Sequence, residues 1–244
     1  MADCEFLPPL RDVIEVPVVE PGSVIALPPA PMHELGEEDH SLRQYYYSES
    51  TLRLFVSICQ RPDVHNIALL STPSIFFALD AATREGKAWL LEFDRKWEEG
   101  NSRFRFFDFN APVGDLPAHL LGACDLVVAD PPHINVRTLE RYAEVFKALL
   151  SPGGRLLLTT GSDNEQWVMS ELACFPQKFV PKSSAGWAEM GRFRLMANFR
   201  DDPAGEPLMS RLNLEDFPPK ADGDESSGGE EDYTWSLGMV DHPL

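Results

Sequence analysis

Short apolar segments alternate with segments of helical periodicity through the middle of the chain, and this alternation constrains the fold more than any other feature. The apolar segments lie at residues 66–70, 88–93, 104–107, 126–129 and 155–160. Amphipathic helices are predicted at residues 49–60, 74–84, 137–150 and 164–174. Strands that alternate with helices form a parallel sheet covered on both faces. The order therefore predicts a doubly wound α/β domain.

Two later apolar segments complete the predicted sheet. They lie at residues 177–180 and 192–199, and a closing hairpin is the natural connection between them. The sequence therefore predicts a Rossmann-like, seven-stranded, mostly parallel sheet that ends in an antiparallel hairpin.

The acidic residues are concentrated at the two ends of the chain. Residues 1–40 hold 9 acids and 1 base, residues 201–244 hold 12 acids and 2 bases, and residues 41–200 hold 18 of each. The first segment is rich in proline and the last is rich in serine, glycine and acids, so neither buries enough apolar surface to offset its chain entropy. We predict one domain at 41–200, between disordered acidic ends that either solvate the protein or dock a basic partner.

The overall charge and the cysteines limit the partner and the compartment. A net charge of -18 argues against a nucleic-acid or anionic-membrane partner. The four cysteines have no paired spacing for zinc, so we predict no metal site and a reducing, cytoplasmic environment. No apolar run approaches the roughly 18 residues of a membrane span. The sequence therefore predicts a cytoplasmic protein without a membrane segment.

Carboxylates follow two neighbouring strands of the predicted sheet. Glu92 and Asp94 come at the end of the second strand, and Asp108 follows the third. Ligands bind beyond the carboxyl ends of such strands, where a carboxylate commonly accepts from ribose hydroxyls. We predict that Glu92, with Asp94 as second choice, binds a nucleoside cofactor, and that Asp108 binds its adenine amino group beside Phe107 or Phe109. Each position alone also fits a helix cap or a solvated side chain.

The turn after the first strand distinguishes between cofactors. It reads Ser71-Thr72-Pro73-Ser74 and lacks the Gly-x-Gly-x-x-Gly of dinucleotide binders, which argues against pyrophosphate binding. S-adenosylmethionine carries no phosphate, and a small polar turn that opens a helix can still bind its methionine carboxylate. We therefore predict S-adenosylmethionine as the cofactor, with Ser71 and Thr72 among its ligands.

The strongest local motif is Asp130-Pro131-Pro132, which directly follows the fourth apolar segment. Each proline fixes φ near −65° and removes a backbone donor, so the segment is stiff, extended and rich in unpaired carbonyls. An amine that donates to the Asp130 carboxylate and to the Pro131 carbonyl has its lone pair held in one direction, as attack on a sulfonium methyl requires. We predict that Asp130, Pro131, Pro132 and His133 form the catalytic segment.

Four motifs in order resemble one known family. They are Tyr-Tyr-Tyr-Ser at 45–48, Leu-Leu-Glu-Phe-Asp at 90–94, Phe-Phe-Asp-Phe-Asn at 106–110 and Asp-Leu-Val-Val-Ala-Asp-Pro-Pro at 125–132. Together they resemble the lysine methyltransferases that act on translation elongation factor 1 alpha, over about residues 41–200. That family has also been labelled adenine-specific DNA methyltransferase-like because of its Asp-Pro-Pro-aromatic motif. The resemblance implies a class I methyltransferase whose substrate is a protein.

His133 departs from the family pattern, which has Tyr or Phe at this position. A histidine can stack, can accept a proton, or can mark a loss of activity. Tyr46 and Tyr47 are expected either to wall the substrate pocket or to pack in the core. Two alternatives remain open: an adenine amino-methyltransferase on nucleic acid, and a non-catalytic module that binds S-adenosylmethionine. The first requires a basic channel, and no basic cluster larger than Arg95-Lys96 occurs.

Overall fold

A seven-stranded sheet forms the centre of the computed structural model, which describes residues 35–111, 113, 116–133, 135–177, 179–184 and 193–199. The strands are β1 (Ile67–Leu70), β2 (Ala88–Glu92), β3 (Phe104–Phe106), β4 (Cys124–Ala129), β5 (Leu150–Gly161), β6 (Phe175–Pro176) and β7 (Phe193–Ala197). Their order is β3-β2-β1-β4-β5-β7-β6. The first five are parallel, and β7 is antiparallel to both of its neighbours. The predicted fold class is confirmed.

Helices cover both faces of the sheet. They are α1 (Glu49–Cys59), α2 (Pro73–Ala78), α3 (Ala81–Gly86), α4 (Val136–Leu149) and α5 (Glu165–Leu172). Successive residues of β1 point to opposite faces, so Ile67 and Leu69 join the core cluster of α1 and α2, while Ala68 and Leu70 join that of α4 and α5. This arrangement is the predicted doubly wound one. Among the described helices, none has the length and apolar character needed to cross a bilayer.

Two elements differ from the prediction. The single helix expected at residues 74–84 is divided, because Leu79 is extended and the side chain of Asp80 caps α3 by accepting from the N–H of Thr83 at 2.7 Å. The strand expected at residues 177–180 lies earlier, at Phe175–Pro176, where it pairs with β7. The antiparallel pairing of the two last strands was correctly predicted, but the position of the first of them was wrong.

Two glycines, Gly153 and Gly154, lie near the start of β5. Strand β5 begins at Leu150, directly after α4, and includes Gly153 with a φ of 81°. A Cβ atom at Gly154 would lie 2.8 Å from the carbonyl oxygen of Cys124, on the strand where the register shifts. Glycine at this position allows β4 and β5 to approach each other closely.

The packed region extends further toward the N terminus than the predicted boundary at residue 41. Leu35 is buried in the core cluster, and its carbonyl oxygen accepts from the indole N–H of Trp97 at 3.2 Å. The carboxylate of Glu38 accepts from the backbone N–H of Tyr46 at 2.7 Å. Residues 1–34 and 200–244 lie outside the described part of the chain, so the disorder of both ends stays a prediction.

The register of the sheet aligns the ends of four strands. Leu70 of β1 pairs with Leu91 of β2 and with Ala129 of β4, and Ala129 pairs with Leu158 of β5. The next residue on each strand therefore lies at the same edge of the sheet; these residues are Glu92, Ser71, Asp130 and Thr159. The strand order reverses between β1 and β4, which is where open α/β sheets bind ligands.

Candidate active site

Asp130 lies at the centre of a triangle of hydroxyl contacts. Its Oδ2 accepts from the Tyr47 hydroxyl at 2.7 Å, and its Oδ1 accepts from Thr159 Oγ1 at 2.6 Å. The two hydroxyl oxygens lie 2.9 Å apart. Tyr47 and Thr159 are buried, and both come from elements distant in sequence from Asp130. The carboxylate is therefore held in one orientation by groups that carry no charge.

Burial dominates the protonation of this triangle. Desolvation raises the pKa of Asp130 to about 6, although the hydrogen bonds from Thr159 and Tyr47 act to lower it. Desolvation and the nearby Asp130 carboxylate raise the pKa of Tyr47 well above 10, so the phenol stays protonated. At pH 7 the favoured state is an ionised Asp130 that accepts from two neutral hydroxyls.

The rest of the predicted catalytic segment leads from this half-buried carboxylate to the surface. Pro131 is buried, Pro132 is half-buried and His133 is exposed. The His133 ring lies edge-on to Phe109, with ring centroids 6.1 Å apart. Partial desolvation and the positive charge of Arg43 lower the pKa of His133 below 6.5. Both effects favour the neutral form of the His133 ring.

Glu92 is the second carboxylate at this edge of the sheet, and it is buried, with 6% of its surface exposed. Its Oε1 accepts from the backbone N–H groups of Phe93 at 2.8 Å and Asp94 at 3.1 Å. Desolvation raises the pKa of Glu92 to about 7 against these hydrogen bonds. A buried carboxylate with one oxygen held by neighbouring backbone N–H groups can accept a hydrogen bond from a ligand with its other oxygen.

Asp94 has structural partners on three sides. Its carboxylate accepts from the Lys96 backbone N–H at 3.0 Å and the Gln44 amide at 2.9 Å, and forms an ion pair with the Lys96 ammonium at 3.2 Å. Burial raises the pKa of Asp94, but these hydrogen bonds and Lys96 outweigh it, and the pKa falls below its usual value. The structure therefore favours Glu92 over Asp94 as the ligand-binding carboxylate.

The turn after β1 adopts a glycine-like conformation without glycine. Ser71 has a φ of 55°, a region that costs a non-glycine residue about 1–2 kcal/mol. Its hydroxyl is hydrogen-bonded to the Tyr142 hydroxyl at 2.7 Å. Thr72 is buried, and its Oγ1 has no hydrogen-bond partner among the described residues. A buried, unpaired hydroxyl is expected to find a partner in a ligand.

Asp108 and Phe109 lie beyond the end of β3. Oδ1 of Asp108 accepts from the backbone N–H of Asn110 at 2.8 Å and from its amide at 3.0 Å, in a local turn. Phe109 is half-buried and packs beside Tyr142, with ring centroids 6.0 Å apart. Phe107, the alternative ring, is buried against the edge of Tyr142. Of the two rings, Phe109 is the more accessible to a ligand.

The structure separates the two tyrosines expected in the substrate pocket. Tyr47 reaches Asp130, whereas the Tyr46 hydroxyl donates to the backbone carbonyls of Glu37 at 3.0 Å and Leu35 at 3.3 Å. Adjacent residues of an extended segment point in opposite directions, so only one of the pair can face the strand ends. The role of Tyr46 in the substrate pocket stays a prediction with no contact to Asp130 in its support.

Sequence reasoning missed two residues of the site, Thr159 and Tyr142. Thr159 follows the apolar run of β5, and a polar residue one step beyond Leu158 is a signal in itself once the register with β4 is known. Tyr142 lies within the helix predicted at residues 137–150, and its hydroxyl is hydrogen-bonded to Ser71. In the described residues, no group of three or more His, Cys, Asp or Glu side chains could hold a metal ion.

Comparison with known proteins agrees with this architecture. Residues 38–201 match a family model described as "Probable N6-adenine methyltransferase". The branched-chain polyamine synthase of Thermus thermophilus has a similar fold, with a TM-score of 0.51 and 13% identity over 69% of this chain and 60% of that one. With its strand order and the aligned carboxylates, the chain is a Rossmann-like methyltransferase.

Relatives of similar sequence identify the kind of methyltransferase. "EEF1A lysine methyltransferase 1" of Gallus gallus is 34% identical over 167 residues, which cover 67% of this chain and 76% of the relative. The Homo sapiens protein of the same name is 30% identical over the same shares. "Protein-lysine N-methyltransferase EFM5" of Saccharomyces cerevisiae is 29% identical over 68% of this chain and 74% of its own length. The chain belongs to this family of protein-lysine N-methyltransferases.

Proposed function

We propose that the chain methylates a lysine side chain of translation elongation factor 1 alpha, with S-adenosylmethionine as the methyl donor. The observation that carries the proposal is the alignment of Glu92, Ser71 and Asp130 at one edge of the sheet. Relatives that match two thirds of the chain are named for this activity. The four widely spaced cysteines are consistent with a cytoplasmic protein, which we include in the proposal.

The residues present are suited to this cofactor. A nucleoside requires a carboxylate for its ribose hydroxyls, and Glu92 is buried with one oxygen already held by backbone N–H groups. An amino-acid carboxylate requires donors, and Thr72 offers a buried hydroxyl without a partner. We assign Asp108 and Phe109, which lie beyond the end of β3, to the adenine ring. When bound, S-adenosylmethionine supplies a methyl group on a positively charged sulfur, which keeps the electron pair of the breaking carbon–sulfur bond.

Asp130 directs the lysine amine toward that methyl group. Lysine titrates near pH 10.4 in water, so its ammonium must lose a proton before its nitrogen can form the new bond to carbon. His133 is exposed and its surroundings favour the neutral imidazole, and we assign it as the group that takes this proton to solvent. The neutral amine then donates one hydrogen to Asp130 and one to the Pro131 carbonyl. Its lone pair is thereby held in a single direction, which contributes much of the rate enhancement in such reactions.

Adenine methylation is the second candidate, because the matching family model carries that description. The exocyclic amine of adenine could occupy the same place beside Asp130. Such an enzyme requires lysines and arginines to neutralise phosphates, whereas residues 41–200 are electrically balanced and the ends are acidic. The charge distribution therefore favours a protein substrate.

A methyl-transfer assay separates the two candidates. Radiolabelled S-adenosylmethionine is incubated with the full chain and either purified elongation factor 1 alpha or total nucleic acid. We expect label on the protein band, resistant to nuclease and absent when Asp130→Ala replaces the wild type. Label that disappears with nuclease would establish the adenine reaction, and the absence of label on both substrates would contradict the proposal.

A further inference from the structure

Two side chains from separate parts of the chain meet at the Asp130 carboxylate. Tyr47 precedes α1, and its ring packs on Phe55 with ring centroids 5.2 Å apart. Its backbone forms an isolated antiparallel bridge with Ser183. Thr159 lies on β5, beside the end of β4, and is 1% exposed. Each hydroxyl is therefore fixed by its own element, and together they restrain both oxygens of the carboxylate.

The number of hydrogens in the triangle determines what it can accept. When Asp130 is ionised, Tyr47 and Thr159 supply two hydrogens, and both are donated to the carboxylate. Each carboxylate oxygen then keeps a second lone pair for another donor. When Asp130 is protonated, a third hydrogen is present and the three groups can form a closed ring that includes the 2.9 Å contact between the two hydroxyls. The open, ionised arrangement is the one that can accept an amine.

We propose that Tyr47 and Thr159 are positioning residues that keep the Asp130 carboxylate ionised and aimed at the reacting amine. The inference rests on the proposed function, because Asp130 is the group assigned there to the lysine. Neither hydroxyl reaches the substrate itself in this assignment. Their effect passes through Asp130, so it is expected on the rate and on its pH dependence and not on cofactor binding.

Simple packing would make the two hydroxyls dispensable. Phenylalanine fills the space of Tyr47 and valine that of Thr159, so the apolar contacts would survive either substitution. What these variants lose is a hydrogen bond to a half-buried carboxylate, and hydrogen bonds to charged groups contribute about 1.5–3 kcal/mol. That energy corresponds to a change of about tenfold to hundredfold in an equilibrium or a rate.

The test compares Tyr47→Phe and Thr159→Val with the wild-type chain in the methyl-transfer assay. We expect kcat at pH 7 to fall about tenfold to hundredfold in each variant, with the KM for S-adenosylmethionine unchanged. Since the lost donors favour the ionised form, the acid limb of the kcat profile should move to higher pH by about one to two units. Thr159→Ser keeps a hydroxyl and should recover most of the rate.

Thr160→Val is the matched control. Thr160 is buried on the same strand, but its hydroxyl is hydrogen-bonded to the Asn164 amide at 3.2 Å and its side chain points to the other face of the sheet. This variant loses a buried hydroxyl without touching Asp130. The acid limb of its kcat profile should coincide with that of the wild type.

A second readout does not depend on activity. The carboxyl carbon of Asp130 can be followed by NMR titration in full-length protein labelled at aspartate, with Asp130→Asn to assign the signal. We expect its midpoint near pH 6 in the wild type and about one to two units higher in Tyr47→Phe and Thr159→Val.

The two readouts separate the possible failures. A carboxyl titration that is the same in all folded variants would overturn the positioning role, whatever substrate the enzyme uses. Equal kcat profiles in the wild type and both variants would overturn it as well. A shifted titration together with no transfer from the wild type to elongation factor 1 alpha would contradict the proposed function and leave the positioning of Asp130 supported.

Discussion

Glu92 and Asp130 are two carboxylates at the ends of nearby strands, the first buried and the second half-buried, and their hydrogen-bond partners come from different parts of the chain. Glu92 accepts from the N–H groups of the two residues that follow it. Asp130 accepts from Tyr47, 83 residues away, and from Thr159, 29 residues away. Burial raises the pKa of both groups, Glu92 to about 7 and Asp130 to about 6. Glu92 is therefore oriented by the backbone of the two residues that follow it, whereas Asp130 is oriented only when distant parts of the chain have come together.

The difference corresponds to the two tasks of the enzyme. Glu92, the proposed cofactor carboxylate, has only to accept hydrogen bonds from hydroxyls, and such bonds tolerate small displacements of the carboxylate. The proposed amine carboxylate must direct an attacking lone pair, and a misplacement of about 1 Å can cost a hundredfold in rate. Rigid restraint by side chains of several elements is accordingly found at Asp130 and not at Glu92.

The largest effect is expected when Asp130, the carboxylate assigned to the amine, is replaced. We expect Asp130→Ala to reduce kcat about a hundredfold or more, because the amine loses its acceptor, while cofactor affinity stays close to that of the wild type. Single-turnover transfer and calorimetric titration with S-adenosylmethionine measure the two quantities separately. A parallel loss of cofactor affinity would show that Asp130 does not serve the amine alone.

Substitution of the proposed cofactor residues should have the converse effect. We expect Glu92→Ala and Asp108→Ala to lower the affinity for S-adenosylmethionine about tenfold to hundredfold, through the loss of a hydrogen bond to a charged group. Calorimetry gives the dissociation constants, and Asp94→Asn serves as the comparison because Asp94 is bound by Lys96 and Gln44. Unchanged affinity in Glu92→Ala and Asp108→Ala would remove both residues from the cofactor site.

The pH dependence of cofactor binding tests the state of Glu92. With a pKa of about 7, Glu92 is mostly protonated at pH 6 and mostly ionised at pH 8. Ribose hydroxyls stabilise the ionised form, so the affinity should rise about tenfold over this interval. Glu92→Gln should bind with little dependence on pH. A wild-type affinity that is constant between pH 6 and pH 8 would contradict the assignment.

The same raised pKa has the opposite consequence for folding. The pKa of Glu92 in the folded chain exceeds its ordinary value of 4.5. Its contribution to the free energy of unfolding is therefore fully present below pH 4.5 and is lost as the pH rises through about 7. The Tm values of Glu92→Gln and of the wild type should be similar at low pH, and above pH 7 the variant should have the higher Tm.

The smallest effect is expected at His133, where the catalytic segment reaches solvent. If His133 takes the proton from the lysine ammonium, His133→Phe should lower kcat near neutral pH and remove a titration step below pH 6.5 from its profile. If the ring only lines the pocket, phenylalanine should preserve the rate or raise it about two- to fivefold, the range of a cation–π contact at an exposed site. Rate profiles of both proteins from pH 5 to pH 9 decide between these outcomes.

Sequence patterns alone predicted the alternation of strands and helices, the doubly wound class and the carboxylates that follow the strands. These features follow from periodicity and from residues adjacent in the chain, as at Asp130 after Ala129. The ends of helices and strands were harder to predict from the sequence. One predicted helix is divided because the Asp80 side chain caps the start of α3. The left-handed conformation of Ser71 also went unrecognised, since glycine usually marks such a turn.

The residues that meet at Asp130 could be identified only from the folded arrangement of the sheet. The order β3-β2-β1-β4-β5 and the pairing of Ala129 with Leu158 bring Thr159 beside the carboxylate. The bridge between Tyr47 and Ser183 fixes the second hydroxyl from a segment that precedes the sheet. Strand order and register are set by the burial of whole faces of the sheet and not by any local pattern. A hydrogen bond across 112 residues, such as that between Tyr47 and Thr159, therefore exists only in the folded chain.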